Sequence, residues 1–319
     1  VAGAQSTPSD AATTGASARF DLQENRDTGE LRALLDGREI FVYRFGAEND
    51  LPHFYPLNTP SGKNLLIQKT EPYPHHRAFW IADTVERDGV RGDVYNAYYT
   101  GVRKGRRVHE PPFNTGSRHV AFRQKNTEGA RAVIEEDLVW ETQRTTEPFP
   151  LADEHRLIRL HALEDGSWLM DLSFEVRAAY GDVRFVSDAV HYAWPFLRLD
   201  PRFSGTQGGV ITADNGATGQ EATNLKPARW IDYSNSVEGT SEGVALLQWP
   251  DSDGGERLWL TREYGTLGPR RPEHQSGKPF TLKKGVALRQ RIGILVHKGD
   301  VTGGRVAEIY DRYVKGEFQ

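Results

Sequence analysis

Cysteine is absent from the 319-residue chain, which excludes disulfides, thiolate metal sites and cysteine nucleophiles. No apolar run approaches the roughly 20 residues needed to cross a bilayer as a helix; the strongest, such as "GVALLQW", have the length of a strand. A basic excess is also missing. The formal net charge is -4, whereas a general nucleic-acid binder presents a basic surface. There is no H-E-x-x-H, no P-loop and no G-x-G-x-x-G opening a helix, and no strand-to-helix nucleophile elbow is expected. "DSDGGE" at 251–256 has calcium-loop residues without the twelve-residue spacing and reads as a hairpin turn. No repeat of fixed period stands out, which argues against a propeller or solenoid.

What is present reads as strands. The 32 glycines and 17 prolines include many that punctuate short segments, as turns between strands require. In "SWLMDLSFEVRA", Trp168, Met170, Leu172, Phe174 and Val176 alternate with Asp171, Ser173, Glu175 and Arg177, the period of a half-buried strand. "AVIEEDLVWET" and "ALRQRIGILVHK" behave alike. Further candidates are "REIFVYRF", "KNLLIQK", "RHVAFRQK", "RLIRLHAL", "VALLQW" and "RLWLTREY", with "LEDGS" and "NTEGA" as hairpin turns. Near the end, "GGRVAEIYDRYVKG" carries an apolar stripe at helical spacing through Val306, Ile309, Tyr310, Tyr313 and Val314. It predicts one helix, capping an end of a sheet.

The expected fold is therefore all-β: a large antiparallel β-sandwich with one C-terminal helix. Length alone allows two domains, but sandwiches reach this size as one unit, so residues 21–319 are expected to form a single domain. Irregular stretches are expected at 71–118, 198–229 and 263–280, where binding residues collect at sheet rims. Residues 1–20, small and polar without a hydrophobic pattern, read as a disordered leader. Ala2-Gly3-Ala4 fits a signal-peptidase site that leaves Gln5 first, which predicts export to the periplasm or beyond; the plainer alternative is a low-complexity tail on a cytoplasmic protein.

Polar and aromatic residues concentrate in four places. "PYPHHRAFW" holds His75, His76, Arg77 and Trp80, and "SDAVHYAWPFLRL" holds His191, Tyr192, Trp194 and Arg198. "ARWIDYS" carries Arg229, Trp230, Asp232 and Tyr233, and "LWLTREYG" carries Trp259, Arg262, Glu263 and Tyr264. Such combinations suit a sugar: aromatic faces stack on C–H surfaces while charged groups bond hydroxyls or a carboxylate. Blander readings stand beside these. A loop histidine often only bonds backbone, Trp230 and Trp259 fit a core, and Arg262 with Glu263 fits a surface pair. His75, His76 and His191 offer imidazoles to a transition metal, but no ligand spacing supports it, so neither metal nor cofactor is expected. On extended backbone His75 and His76 point to opposite faces, which makes them one working residue and one support.

At "PHHRAFW", "ARWIDYS", "LTREYG" and "ILVHKGD" the chain resembles the domain family DUF6807, also described as methane oxygenase PmoA-like. His75, His76, Arg77 and Trp80 match the first motif, and Trp230, Asp232, Tyr233 and Ser234 the second. Arg262, Tyr264 and Gly265 match the third, and His297, Gly299 and Asp300 the last. Ala78-Phe79 and Asn235 depart from the usual residues. The resemblance covers roughly residues 37 to 315. It implies a secreted or periplasmic bacterial protein associated with carbohydrate use, with a sandwich of the galactose-mutarotase-like kind; a membrane methane monooxygenase subunit would need spanning segments.

Several functions follow as expectations, the first being a polysaccharide or oligosaccharide lyase. Arg77 or Arg262 would neutralise a uronic-acid carboxylate, His76 or His191 would take the C5 proton, and Tyr192 or Tyr264 would protonate the leaving oxygen. His75 is grouped with these catalytic candidates. Trp80, Trp194, Trp230, Asp232 and Glu263 are candidate substrate contacts. A glycoside hydrolase would instead use Asp232 and Glu263 as its carboxyl pair. Epimerisation and non-catalytic carbohydrate binding complete the options.

Overall fold

The computed structural model describes residues 18–104, 106–108, 113–143, 147–186, 193–250, 257–272 and 279–319. The leader before residue 18, the "DSDGGE" turn, His191 and Tyr192 lie outside the described residues.

Alternation builds the longest strands. Thr115–Glu128, Arg131–Gln143, Pro148–Ala162 and Trp168–Arg177 pair in succession. Ala287–Lys298, Thr240–Gln248, Trp230–Val237 and Val210–Ala213 complete this eight-stranded, antiparallel sheet. Ala132, Ile134, Glu136, Leu138 and Trp140 are all buried, every second residue of one strand, so that strand turns one face to the core.

A second eight-stranded sheet runs in the order Phe20–Asn25, Glu30–Leu35, Arg38–Arg44, His53–Leu57, Phe79–Trp80, Phe196–Arg198, Thr266–Pro269 and Trp259–Arg262. Its inner face meets the long-stranded sheet, where the rings of Phe41 and Trp168 lie 6.1 Å apart and Tyr43 donates to Glu136 Oε2 at 2.5 Å. Fully burying one aromatic or aliphatic side chain stabilises by about 1.5–3 kcal/mol, and dozens line this interface. Glu136 does not lie there unpaired, since His119 Nδ1 is 2.6 Å from its other oxygen. A four-stranded sheet and a two-stranded hairpin flank the sandwich among the described residues. The predicted all-β sandwich with a C-terminal helix is thus the observed architecture.

Four details differ from expectation. The stretch 71–118 is not irregular throughout: it holds Phe79–Trp80, Thr84–Arg87, Val90–Asp93, Gly101–Arg103 and Arg106–Val108, all too short to show a period. "KNLLIQK" forms no strand and contributes only the bridges Asn58–Asn64 and Leu66–Leu199. A five-residue helix at Gly219–Thr223 and the strands Val210–Ala213 and Thr266–Pro269 fall inside expected loops. The C-terminal helix, Val306–Val314, covers a sheet face instead of capping an end. Val306, Ile309, Tyr310 and Tyr313 pack with Leu169, Trp230, Leu247 and Leu295, which come from four adjacent strands. Tyr313 further donates to Asp171 Oδ1 at 3.0 Å, with Arg291 holding both oxygens of that carboxylate.

Candidate functional site

Three neighbouring strands of the second sheet end together. Phe196 pairs with Trp80 and Arg198 with Thr266, so the segment before Phe79, the end of Phe196–Arg198 and the turn before Thr266 meet at one end of that sheet. A tight turn shapes the first segment: Tyr73 N bonds Thr70 O, His76 N bonds Tyr73 O, and Lys69 N bonds His76 O. The extended backbone expected at the twin histidines is therefore absent. Instead of facing apart, their rings lie 4.5 Å apart at 71°.

Around them the chain gathers tyrosines. Tyr73 stacks on His76 with ring centroids 4.9 Å apart and meets Tyr264 at 5.3 Å. Tyr264 occupies the tip of the Arg262–Thr266 hairpin, where Gly265 takes a φ of 102° and any Cβ would press on Leu199. Tyr99 Oη lies 3.3 Å from His75 Nδ1, and Tyr95 Oη lies 3.2 Å from His76 Nε2. Arg198 closes the group, donating from Nη1 to His76 Nδ1 at 3.0 Å between the faces of Tyr73 and Tyr264.

These bonds fix the state of His76. A guanidinium can only donate, so Nδ1 carries the lone pair and Nε2–H donates to Tyr95. Burial, then the neighbouring His75 and Arg198, push its pKa down to about 2. Neutral, 5% exposed and engaged at both nitrogens, His76 has no lone pair left for a proton or a metal. His75 is half-buried at the surface of the same group. The metal option therefore loses His76 and depends on His191, outside the described residues; among the described residues no cluster of three His, Cys, Asp or Glu is disposed to hold an ion.

The remaining predicted site residues go elsewhere. Arg77 is 1% exposed and donates from Nε to Asp50 Oδ1 at 2.8 Å, under the ring of Tyr98, so it is an internal ion pair and not a surface cation. Trp80 is buried below the histidines, its ring 4.3 Å from Phe196. Trp194 lies in the core against Phe174, and Trp230 lies beneath the C-terminal helix. Arg262 donates to Asn224 Oδ1 at 2.5 Å, and Glu263 Oε1 accepts the Gln220 N–H at 2.9 Å, each anchoring the segment 220–224.

Asp232 is fully buried. Its Oδ1 lies 2.7 Å from His297 Nε2 and its Oδ2 accepts the Ser234 hydroxyl at 2.8 Å. His297 Nδ1 lies 3.1 Å from Lys298 O, so both of its nitrogens are placed to donate. Burial pulls the pKa of His297 down, but the Asp232 carboxylate outweighs burial and the net shift is upward.

The four sequence motifs thus form a line of contacts. Tyr73, beside the first, meets Tyr264 of the third; Tyr233 of the second donates to Glu263 O at 2.9 Å; Asp232 of the second binds His297 of the fourth. The first and third motifs build the histidine–tyrosine group, while the second and fourth form a buried brace. Tyr73, Tyr95 and Tyr99 were not among the predicted site residues, and Arg198 was named in a polar–aromatic cluster without a role. The only signal for Tyr95 and Tyr99 is the tyrosine-rich run "YNAYYT".

Two other features invite attention as sites. The letters G-x-S-x-G do occur, at Gly239–Gly243, but they span a hairpin between two strands, so Ser241 is no strand-to-helix nucleophile. A groove of about 860 Å³ opens on the outer face of the long-stranded sheet. Its arginines are each paired, Arg118 with Glu141, Arg123 with Asp137 and Arg177 with Glu175, so they offer little free positive charge to recruit an anionic ligand.

Comparison with known proteins places the chain. No curated protein matches it. Among solved structures it is similar to the GH36 alpha-galactosidase AgaB of Geobacillus stearothermophilus, at 9% identity over 89% of this chain and 42% of that one, with a TM-score of 0.48. It is also similar to a polysaccharide lyase, at 11% identity over 92% of this chain and 34% of that one, TM-score 0.32. A third is the galactose 1-epimerase of Lactobacillus acidophilus, at 9% identity over 89% and 100%, TM-score 0.34. The chain spans about two fifths of the length of the alpha-galactosidase (42%). Likeness at this level concerns fold and not chemistry. The family model of DUF6807 matches residues 30–311, the greater part of the sandwich and all four motifs, and the chain belongs to that family of unknown function.

Proposed function

We propose that the protein is a carbohydrate-active enzyme that moves protons at the His75–Tyr99–Tyr264 surface, most simply as a lyase. The observation that carries this reading is the convergence of two histidines, four tyrosines and one arginine from separate segments of the described residues. Aromatic faces and hydroxyls of this kind hold a sugar ring. The reading rests on these side chains and not on the weak overall likeness to sugar enzymes.

In this scheme His75 takes the proton from the sugar carbon, a role that a neutral imidazole fills as general base. Tyr99, bonded to His75, and Tyr264, at the hairpin tip, are the candidates to return a proton to the leaving oxygen. His76 stays neutral and orients Arg198 and Tyr95. The pair thus divides into one working residue and one support. Two-carboxylate hydrolysis finds less support, because Asp232 is engaged by His297 and Glu263 by the Gln220 backbone. Export of the protein belongs to the same proposal and is tested by fractionating the source cells.

Purified protein supplied with a broad glycan panel should release an unsaturated product that absorbs in the ultraviolet. His75→Gln should lower that rate at least about 100-fold, while the melting temperature stays nearly unchanged. New reducing ends without the absorbance would replace the lyase by a hydrolase. Binding without conversion would leave a carbohydrate-binding protein.

A further inference from the structure

We infer that the sugar bound here carries a carboxylate, and that Arg198 is the residue that receives it. The inference rests on the carbohydrate reading above and names its substrate class.

Arg198 is 7% exposed, and among the described residues it faces no carboxylate. Its neighbours are a neutral imidazole and the faces of Tyr73 and Tyr264. Among the described residues its Nε is buried without an acceptor. Arginine stays protonated at any working pH, so this is a standing positive charge, largely removed from water, with no anion beside it among the described residues.

Three other buried guanidiniums are treated differently. Arg77 has Asp50, Arg156 has Glu154 and Arg271 has Asp83. The contrast marks Arg198 as a buried cation that a ligand would complete. A planar carboxylate matches the guanidinium fork, and tyrosine faces on both sides would flank a sugar that delivers it. A uronic acid joins those two requirements in one molecule. It is also the sugar class in which a carboxylate acidifies the adjacent C–H, so the same contact would favour elimination.

The test is calorimetric titration of the full chain. The probes are trimers of galacturonate, glucuronate, mannuronate and guluronate, each paired with its carboxyl-reduced neutral counterpart. At least one acidic trimer is expected to bind 30-fold or more tighter than its neutral partner, with a preference that weakens as salt is added. Arg198→Met should abolish that preference without lowering the melting temperature, and Arg198→Lys should retain part of it. If acidic and neutral trimers bind alike in the wild-type protein, the carboxylate inference falls and the carbohydrate reading stands. If no trimer of either kind binds, both fall. A large loss of thermal stability in both variants, with the wild-type preference also absent, would make Arg198 a structural cation.

Discussion

His76 shows how one side chain can be excluded from a role by its hydrogen bonds. Its Nδ1 accepts from Arg198 and its Nε2 donates to Tyr95, so it holds the site without exchanging protons. Arg77 makes a parallel case. Next to it in sequence and equally prominent as a candidate, it is tied to Asp50, both side chains being 1% exposed. Removing one partner of such a pair leaves the other charge buried and alone, which destabilises by about 3–5 kcal/mol. Arg77→Met should therefore lower the denaturation midpoint by that equivalent, and Arg77→Met/Asp50→Leu should recover much of the loss. An Arg77→Met protein of full stability but no activity would return Arg77 to the site.

At the scale of elements, the Asp232–His297 brace joins two strands of one sheet that are separated by a third. Gly304 backs it so closely that an added Cβ would sit 2.1 Å from His297 Nδ1. Gly304→Ala must push the imidazole aside, and overpacking of this kind costs about 1–3 kcal/mol; chemical denaturation would measure it. The long strands of this sheet were legible because alternation persists over ten or more residues: "ALRQRIGILVHK" coincides with an observed strand. Phe79–Trp80 and Phe196–Arg198 were not legible, since strands this short carry no period. They are also the elements that carry the site. Sequence therefore marked "PHHRAFW" and "LTREYG" as important but could not show that a turn brings both histidines to one side, or that Tyr95, Tyr99 and Arg198 complete the group. Trp230 and Asp232 drew notice for the same compositional reason, although one packs under a helix and the other braces the sheet.

Across the whole molecule, one core cluster runs through both large sheets, from Phe20 to Val296. We propose on that ground that residues 21–319 unfold in a single cooperative transition, which calorimetry can check. Buried histidines then give stability a pH dependence. Burial lowers His53 to about 3, His76 to about 2 and His161 to about 4. Each is neutral when folded but binds a proton near pH 6.5 when unfolded. Their stabilising effect is complete above that value and is lost as pH falls below it, by about 2 kcal/mol per histidine at pH 5. His297 has the opposite sign: its raised pKa gives stability that is complete below pH 6.5 and fades as pH rises through the folded value. Three groups against one predict a melting temperature that drops clearly between pH 7 and pH 5. A flat profile would mean that these histidines are hydrated.

On this proposal a sugar sits on the Tyr73–His75–Tyr264 surface beside Arg198. A crystal structure of the protein with the tightest-binding trimer tests it most directly. A sugar ring is expected against the tyrosine faces, its reacting carbon within reach of His75 and its carboxylate on Arg198. A trimer seated instead in the outer groove between Arg118 and Arg177, with the histidine–tyrosine group untouched, would contradict it.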